Sequence, residues 1–283
     1  MFNAHIGMES HYFPDAVNRS RIEKYKDDER GKIMLYSAKT LKDFKLNGFD
    51  GEIGKVDEFY FDDNYWTIRY LIADTGTWLM NRLVLISPYA LAAVNPEQKN
   101  INVTLTKKQI EESPATYHHK PVSRQYEEIY YNYFGWPVYW EGMYKWGAFS
   151  HVERDRNKSG TSARGETVQE LYLRSTHDVI GHAVHATDGE IGHVEDFIID
   201  DETWDIRYLV IDTKILWLGK KVLVSPKWVE RIRWDESKVY VNLLRDTIRL
   251  SPEYSEESLL SREYETGLHQ HYNRTGYWVD ESK

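Results

Sequence analysis

Apolar and polar residues alternate along two similar stretches of the chain, residues 66–73 and 204–211. In the first stretch Trp66, Ile68 and Tyr70 fall on one face of an extended chain, and polar residues separate them. A period of two residues is typical of β-strands. The pattern therefore predicts one strand of this kind in each half of the chain.

Each of these strands follows another strand and a short acidic turn. Residues 53–61 precede the turn Asp-Asp-Asn at 62–64, and Asp-Asp-Glu takes its place at 200–202. Asp and Asn accept turn geometry, so each strand pair is predicted to be a hairpin. Further strands are predicted at 83–86, 100–106, 221–224 and 238–244. Short, closely spaced strands without intervening helices predict a small antiparallel barrel in each half.

The whole pattern repeats at an offset of 138 residues. Asp-Gly-Glu-Ile-Gly-Lys-Val at 50–56 recurs as Asp-Gly-Glu-Ile-Gly-His-Val at 188–194, and residues 59–75 recur as 197–213. The repeated motif positions are Gly51, Gly54, Trp66, Arg69 and Asp74 in the first copy, and Gly189, Gly192, Trp204, Arg207 and Asp212 in the second. A repeat of this length predicts an internal duplication.

The glycines of this motif are predicted to be structural. Gly51 and Gly54 bracket the first strand of the repeat, where a turn with positive φ and a close backbone approach need glycine. A Gly-x-x-Gly pair that no helix follows is a weak phosphate signal, so a ligand role is disfavoured.

The duplication continues past the predicted barrel into an aromatic arm. Ser-Arg-Gln-Tyr-Glu at 123–127 recurs as Ser-Arg-Glu-Tyr-Glu at 261–265. Each copy then reaches a Gly-aromatic cluster, Tyr-Phe-Gly-Trp at 133–136 and Tyr-Asn-Arg-Thr-Gly-Tyr-Trp at 272–278. The register of the two copies is predicted to slip there, as in a loop. Short helices are predicted at 107–113 and 123–133. The predicted organisation is an N-terminal extension at 1–32, a barrel at 33–114, an arm at 115–170, a second barrel at 171–252 and a C-terminal arm at 253–283.

These motifs resemble those of the PRC-barrel family. The resemblance is carried in both copies by the Gly-Glu-Ile-Gly-x-Val turn, the Asp-Asp-x-x-Trp-x-Ile-Arg-Tyr-Leu hairpin and the Val-Leu-Ile/Val-Ser-Pro strand. It implies a mainly β fold of two small antiparallel PRC-type barrels, each followed by short helices and an aromatic arm. Family members include the barrel of the photosynthetic reaction-centre H subunit and a domain of a ribosome maturation factor. The resemblance implies binding and assembly, without common catalytic residues.

Composition narrows the classes of function. The 36 Lys and Arg and the 45 Asp and Glu give a net charge of −9, which repels phosphate backbones, so no nucleic acid is expected as a partner. The absence of cysteine excludes disulfides and thiolate chemistry. No apolar run approaches the roughly 18–20 residues that span a bilayer, and no signal peptide is recognised. We therefore expect no membrane insertion and a cytoplasmic location.

The repeated polar residues are predicted to be structural. Asp62 and Asp63, like their counterparts Asp200 and Asp201, are expected to be exposed on a hairpin tip, so turn chemistry is favoured over a cation site or an acid–base pair. Arg69 and Arg207 are predicted to be ion-paired structural residues. Their predicted carboxylate partners are Asp74 or Glu52 in the first copy and Asp212 or Glu190 in the second.

Histidines are concentrated in the second copy. His182 and His185 are spaced so that two metal ligands could lie close together, whereas the first copy has Phe44 and Asn47 at those positions. Solvated histidines are the favoured interpretation, and a metal site is the alternative. No cofactor is predicted.

The segment at 126–149 holds 11 aromatic residues. One interpretation is an arm that packs on a barrel, and the other is a docking surface rich in Trp and Tyr. The candidate interaction residues are Tyr126, Tyr133, Trp136, Tyr139, Trp140, Tyr272, Tyr277 and Trp278. The predicted function is a non-enzymatic scaffold with an unspecified protein partner, and a homo-oligomer stays open. The alternative is a small-molecule- or metal-responsive binding protein; an enzyme has the least support, because no nucleophile–base pair repeats.

Overall fold

The computed structural model describes residues 34–114, 122–142, 144–152, 173–213, 219–256 and 260–280. The strands are β1 Leu35–Ser37, β2 Lys45–Gly48, β3 Gly51–Asp62, β4 Thr67–Asp74, β5 Leu83–Ile86, β6 Leu91–Asn95, β7 Asn100–Val103, β8 Leu173–Ser175, β9 Ala183–Ala186, β10 Gly189–Asp200, β11 Ile206–Asp212, β12 Lys221–Val224, β13 Val229–Arg233 and β14 Lys238–Val241. The α-helices are α1 Ala38–Leu41, α2 Lys107–Glu111, α3 Arg124–Phe134, α4 Thr176–Val179, α5 Arg245–Arg249, α6 Arg262–His271 and α7 Tyr277–Asp280. The predicted N-terminal extension at 1–32 lies outside the described residues.

Two seven-stranded sheets make the protein mainly β, as predicted. The first sheet has the order β5-β4-β3-β2-β7-β6, and the second has β12-β11-β10-β9-β14-β13. The prediction of purely antiparallel barrels is wrong in two respects. The pairs β2·β7 and β9·β14 are parallel, and the end strands of each order do not pair with each other. Alternation fixes the faces of a strand but not its direction, so the sequence could not reveal this.

The central strands are buried on both faces. Every residue of β4 except the last is buried, and so is every residue of β11. One face of each strand packs into the core that its own sheet encloses. The other face is covered by the arm and by the other copy. Bulges in β3 after Val56 and after Tyr60 recur in β10 after Val194 and Ile198. Bulges of this kind increase the local twist, which bends each long strand around its own core.

The seventh strand of each sheet comes from the other copy. In the second sheet, β1 pairs antiparallel with β10, with Leu35 opposite Asp200. In the first sheet, β8 pairs with β3 in the same register, with Leu173 opposite Asp62. The two copies have therefore exchanged their first strands reciprocally within one chain.

Polar contacts anchor the exchanged strands. The Ser175 hydroxyl donates to the Glu58 carboxylate, and Ser37 bonds to Asp196 at the equivalent place in the other sheet. Just beyond β8, the hydroxyl of Thr176 accepts a hydrogen bond from the backbone N–H of Phe59, 3.3 Å away. Each exchanged strand is thus tied to its host by side chains as well as by the ladder.

A second contact between the copies lies on the pseudo-two-fold axis. The N–H of Ile68 donates to the carbonyl oxygen of Trp204 at 2.7 Å, and the N–H of Ile206 donates to that of Trp66 at the same distance. Thr67 and its counterpart Asp205 meet at the axis, where the threonine hydroxyl donates to the carboxylate at 2.8 Å. The two copies are consequently one hydrogen-bonded body.

The structure confirms the predicted role of the motif glycines. Gly51 and Gly189 begin β3 and β10 with φ of 136° and 139°. Gly54 and Gly192 approach the next strand so closely that an added Cβ would lie 2.1 Å and 2.0 Å from a backbone carbonyl oxygen. None of the helices in the described part of the chain has the length and apolar character that crossing a bilayer requires.

The contact between Asp201 and the residue before β1 is predicted to make the stability of the protein depend on pH. The Asp201 carboxylate accepts a hydrogen bond from the backbone N–H of Met34, and burial raises the pKa of this group to about 7. The unfolded chain releases that proton near pH 4. Because the folded protein holds the proton more tightly, the free energy of unfolding should fall as pH rises from about 4 to 7. Asp201→Asn should therefore stabilise the protein at pH 8 by about 1–2 kcal/mol, measured by urea denaturation.

The first copy supplies the control for this prediction. Asp63 is the counterpart of Asp201, but it forms an ion pair with Arg174 at 3.0 Å. Asp63→Asn removes that ion pair and should not stabilise the protein at any pH from 5 to 8. Equal stability of wild type and Asp201→Asn across pH 5–8 would contradict the prediction.

Candidate interaction site

Each aromatic arm begins with a capped helix that lies on its own sheet. Ser123 caps α3 and Ser261 caps α6, and each serine hydroxyl accepts a hydrogen bond from the backbone N–H three residues on. In the first copy Tyr130 is fully buried, and its hydroxyl donates to the carbonyl oxygen of Leu85 in β5 at 2.8 Å. This bond fixes α3 to the edge strand β5 of the first sheet.

A buried glutamate ties each arm to its sheet. Glu127 accepts hydrogen bonds from Tyr70 of β4, at 2.8 Å, and from Tyr139 of the arm, and it pairs with Arg124 at 2.8 Å. Burial raises the pKa of Glu127. One carboxylate therefore joins a strand, a helix and the end of the arm.

The second copy repeats this arrangement. Glu265 accepts from Tyr208 at 2.9 Å and pairs with Arg262 at 2.9 Å, and Tyr277 lies against it as Tyr139 lies against Glu127. The sequence contained the signal for both glutamates, because each ends the repeated Ser-Arg-x-Tyr-Glu motif. Their role was nevertheless missed, because a charged residue in an amphipathic helix is expected to face solvent.

The two arms keep the 138-residue register, so the predicted slip is wrong. The guanidinium of Arg124 lies 4.2 Å from the ring centre of Trp140, and Arg262 lies 4.2 Å from that of Trp278. Gly135 and Asn273 hold the same left-handed backbone. The slip was inferred from matching Gly-aromatic pairs by residue type, and the structure shows that Asn replaces Gly at this turn.

The structure packs the candidate interaction residues of the arms mainly against their own sheets. Trp136, Tyr139, Trp140, Tyr272 and Tyr277 are buried, whereas Tyr126 and Trp278 are partly buried and Tyr133 is the most exposed. This arrangement corresponds to the first of the two interpretations, in which the arm packs on its own domain. As packed, Trp136, Tyr139, Trp140 and Tyr272 offer no surface to a partner, whereas Tyr277 borders the cleft described below. A docking role for the others stays a prediction.

The mid-strand arginines are buried, and their partners differ from those predicted. The Nε of Arg69 donates to Asp62 at 2.8 Å, and Arg207 binds Asp200 through Nε and a terminal nitrogen at 2.9 and 2.7 Å. All four side chains are nearly or fully buried. The expectation of exposed acids at the hairpin tip is therefore wrong for Asp62 and Asp200, because an arginine on the facing strand neutralises each of them.

The acids predicted as partners have other contacts. Asp74 accepts from the N–H of Gly76 at 2.9 Å, and Glu52 pairs with Lys45 at 2.9 Å. Asp212 is buried at the end of β11, and Glu190 lies 3.8 Å from His185.

The histidines of the second copy lie against aromatic rings. His182 makes an edge contact with Trp234, with ring centres 5.9 Å apart, and His185 stacks on Tyr240 at 5.3 Å. Burial lowers the pKa of His182. Within the ranges that the structure describes, no three His, Asp or Glu side chains are grouped as metal ligands would be.

An open cleft of about 570 Å³ lies between the second sheet and the hairpin tip of the first copy. Its walls include Arg207, Lys227, Arg231, Trp234 and Tyr277. Lys145 of the first arm reaches the rim and binds Asp205 at 2.5 Å. The cleft therefore combines aromatic rings with four cationic side chains and three acidic ones, which are Asp63, Asp205 and Glu230.

Comparison with known proteins identifies one domain. The PRC-barrel domain family matches residues 174–248, which cover β9 to β14 and most of β8. No curated protein matches the chain. A PRC-barrel domain is thus present in the second copy.

Proposed function

We propose that the chain is a non-enzymatic protein-binding scaffold made of two PRC-barrel domains in tandem. The observation that carries this proposal is the PRC-barrel match at 174–248, together with a first sheet that has the same strand order. The family that the match names is one of binding and assembly domains.

The buried polar groups have structural partners, and this supports a binding role over a catalytic one. The carboxylates of Asp62 and Asp200 are held by arginines, and those of Glu127 and Glu265 are held by tyrosines and arginines. All of them fasten one structural element to another. An active site needs a reactive group that substrate can reach, and these groups are enclosed.

Capture followed by reconstitution tests the proposal. The full chain is used to recover proteins from a lysate of its host, and each recovered protein is purified and titrated against the chain by calorimetry. We expect one protein that binds saturably and with fixed stoichiometry. Turnover in a metabolite screen, with no protein that binds saturably after purification, would contradict the scaffold.

A further inference from the structure

The two copies differ most clearly in a groove beside the buried arginine. In the first copy this groove is filled by a tight turn at 144–149, closed by bridges between Tyr144 and Gly147 and between Trp146 and Phe149. Trp146 is fully buried there. The chain itself thus shows what this groove can accept.

Three residues surround the indole of Trp146. Its ring centre lies 5.4 Å from that of Tyr89 and 6.4 Å from that of Tyr139, both in edge contacts, and the guanidinium of Arg69 lies 4.5 Å away. Arg69 also donates to the carbonyl oxygen of Lys145 at 2.7 Å. The groove therefore recognises both an aromatic side chain and the backbone of the turn that carries it.

The same three positions line the open cleft of the second copy. Arg207, Tyr277 and Lys227 stand 138 residues after Arg69, Tyr139 and Tyr89, and all three border the cleft. Arg207 lies 3.9 Å from the ring centre of Tyr277, as Arg69 lies 4.1 Å from that of Tyr139. The aromatic and cationic part of the wall is therefore retained around space that a tryptophan turn fills in the first copy.

The differences between the grooves define the ligand more closely. Lys227 replaces Tyr89, and Arg231 stands where the first copy has Ala93. Both cationic residues are exposed, and they border the cleft beside Glu230. Glu230 stands where the first copy has Ala92 and pairs with Arg231 at 3.4 Å, so the net gain is one positive charge. This charge favours an acidic group next to the aromatic ring.

We propose that the second-copy cleft binds a tight turn of a partner protein, in which a tryptophan is adjacent to an acidic residue. The indole packs against the guanidinium of Arg207 and the ring edge of Tyr277, as Trp146 packs against Arg69 and Tyr139, and the acidic residue faces Lys227 and Arg231. The chain's own turn does not serve as the ligand, because Trp146 is buried in the first copy. This inference rests on the proposed scaffold function and adds the site and the chemistry of its ligand.

Synthetic peptides test the inference on the full chain. The probe has the sequence of residues 142–150 with Lys145→Glu, labelled with fluorescein and followed by anisotropy. We expect saturable binding that weakens at least about tenfold when the peptide also carries Trp146→Ala, because the indole supplies most of the buried contact. Equal binding of the two peptides would overturn the inference.

Two substitutions at one cleft position locate the site. Lys227→Tyr reproduces Tyr89 of the first copy, so it should strengthen binding of the native-sequence peptide severalfold. Lys227→Glu should weaken binding of the acidic probe by about tenfold through charge repulsion. Lys108→Glu, at an exposed lysine on α2 away from the cleft, is the control and should leave binding unchanged.

The outcomes separate the cleft from the scaffold. If neither Lys227 substitution changes the affinity of the probe, the proposed cleft site is wrong. It is also wrong if light scattering shows that the probe binds only by driving the chain into dimers. The scaffold proposal survives either result if a purified partner still binds saturably. Lys227 is exposed, so its replacement is not expected to affect folding.

Discussion

Replacing Arg69 with methionine should lower the free energy of unfolding by about 3–5 kcal/mol, the usual cost of leaving one member of a buried ion pair without its partner. Asp62 is fully buried, and Arg69 is its cation. The guanidinium also lies against the rings of Tyr139 and Trp146, so its removal takes away part of the contact between the first sheet and its arm. Urea denaturation followed by circular dichroism measures the loss.

An exposed arginine provides the control. Arg231 is about half exposed and pairs with the neighbouring Glu230, so Arg231→Met should cost less than about 1 kcal/mol. The double variant Asp62→Asn, Arg69→Met should recover part of the loss, because no uncompensated charge then stays buried. A loss from Arg69→Met no larger than that from Arg231→Met would show that the pair contributes little.

Gly192→Ala should destabilise the protein by about 3 kcal/mol, because the new methyl group cannot be accommodated without moving a strand. Its Cβ would lie 2.0 Å from the carbonyl oxygen of Asp212, and the backbone φ of +150° is one that other residues rarely adopt. The contact is with backbone, so no side-chain rotation relieves it. A shift in the urea midpoint measures this loss.

A glycine in a helix makes the matched comparison. Gly267 lies inside α6, and nothing lies within 4 Å of an added Cβ. Gly267→Ala should stabilise by about 0.5–1 kcal/mol, since alanine loses less backbone freedom in a helix. If both alanine variants shift stability in the same direction, the close-approach argument for Gly192 is wrong.

The local structure could be predicted because its signals are local. Alternation around Ile68 and Tyr70 predicted β4, and Ser123 marked the start of α3 within one residue of the observed helix. The motif glycines were correctly assigned because a turn and a close approach both depend on a few neighbouring residues. In each case the physical cause and the sequence signal lie within about ten positions.

The contacts that build the site were harder to predict because they depend on distant residues. Asp62 was assigned to an exposed tip, since its two polar neighbours look like a turn, but Arg69 on the facing strand draws it inside. No role for Glu127 was predicted, because its partners Tyr70 and Tyr139 lie 57 and 12 residues away in the sequence. The cleft was not predicted, because its walls come from both copies and from both arms.

The strand exchange was equally hidden from the sequence. β1 is three residues long, and nothing within it distinguishes β3 from β10 as its host. Alternation would be the same for either pairing. The backbone hydrogen bonds from Ile68 to Trp204 and from Ile206 to Trp66 hold the two copies together, which places the edge of the other copy's sheet within reach of β1.

This exchange also sets the order of events while the chain is being made. The host strand β3 ends at Asp62, but its neighbour β8 begins at Leu173, so residues 63–172 must be synthesised in between. At about 5–20 residues per second, that interval lasts several seconds or more. Throughout it, the first sheet emerges from the ribosome with the last residues of β3, 60–62, unpaired on one edge. This sheet can be completed only when the second copy has begun to appear, so the two halves finish folding together although the first is translated long before the second.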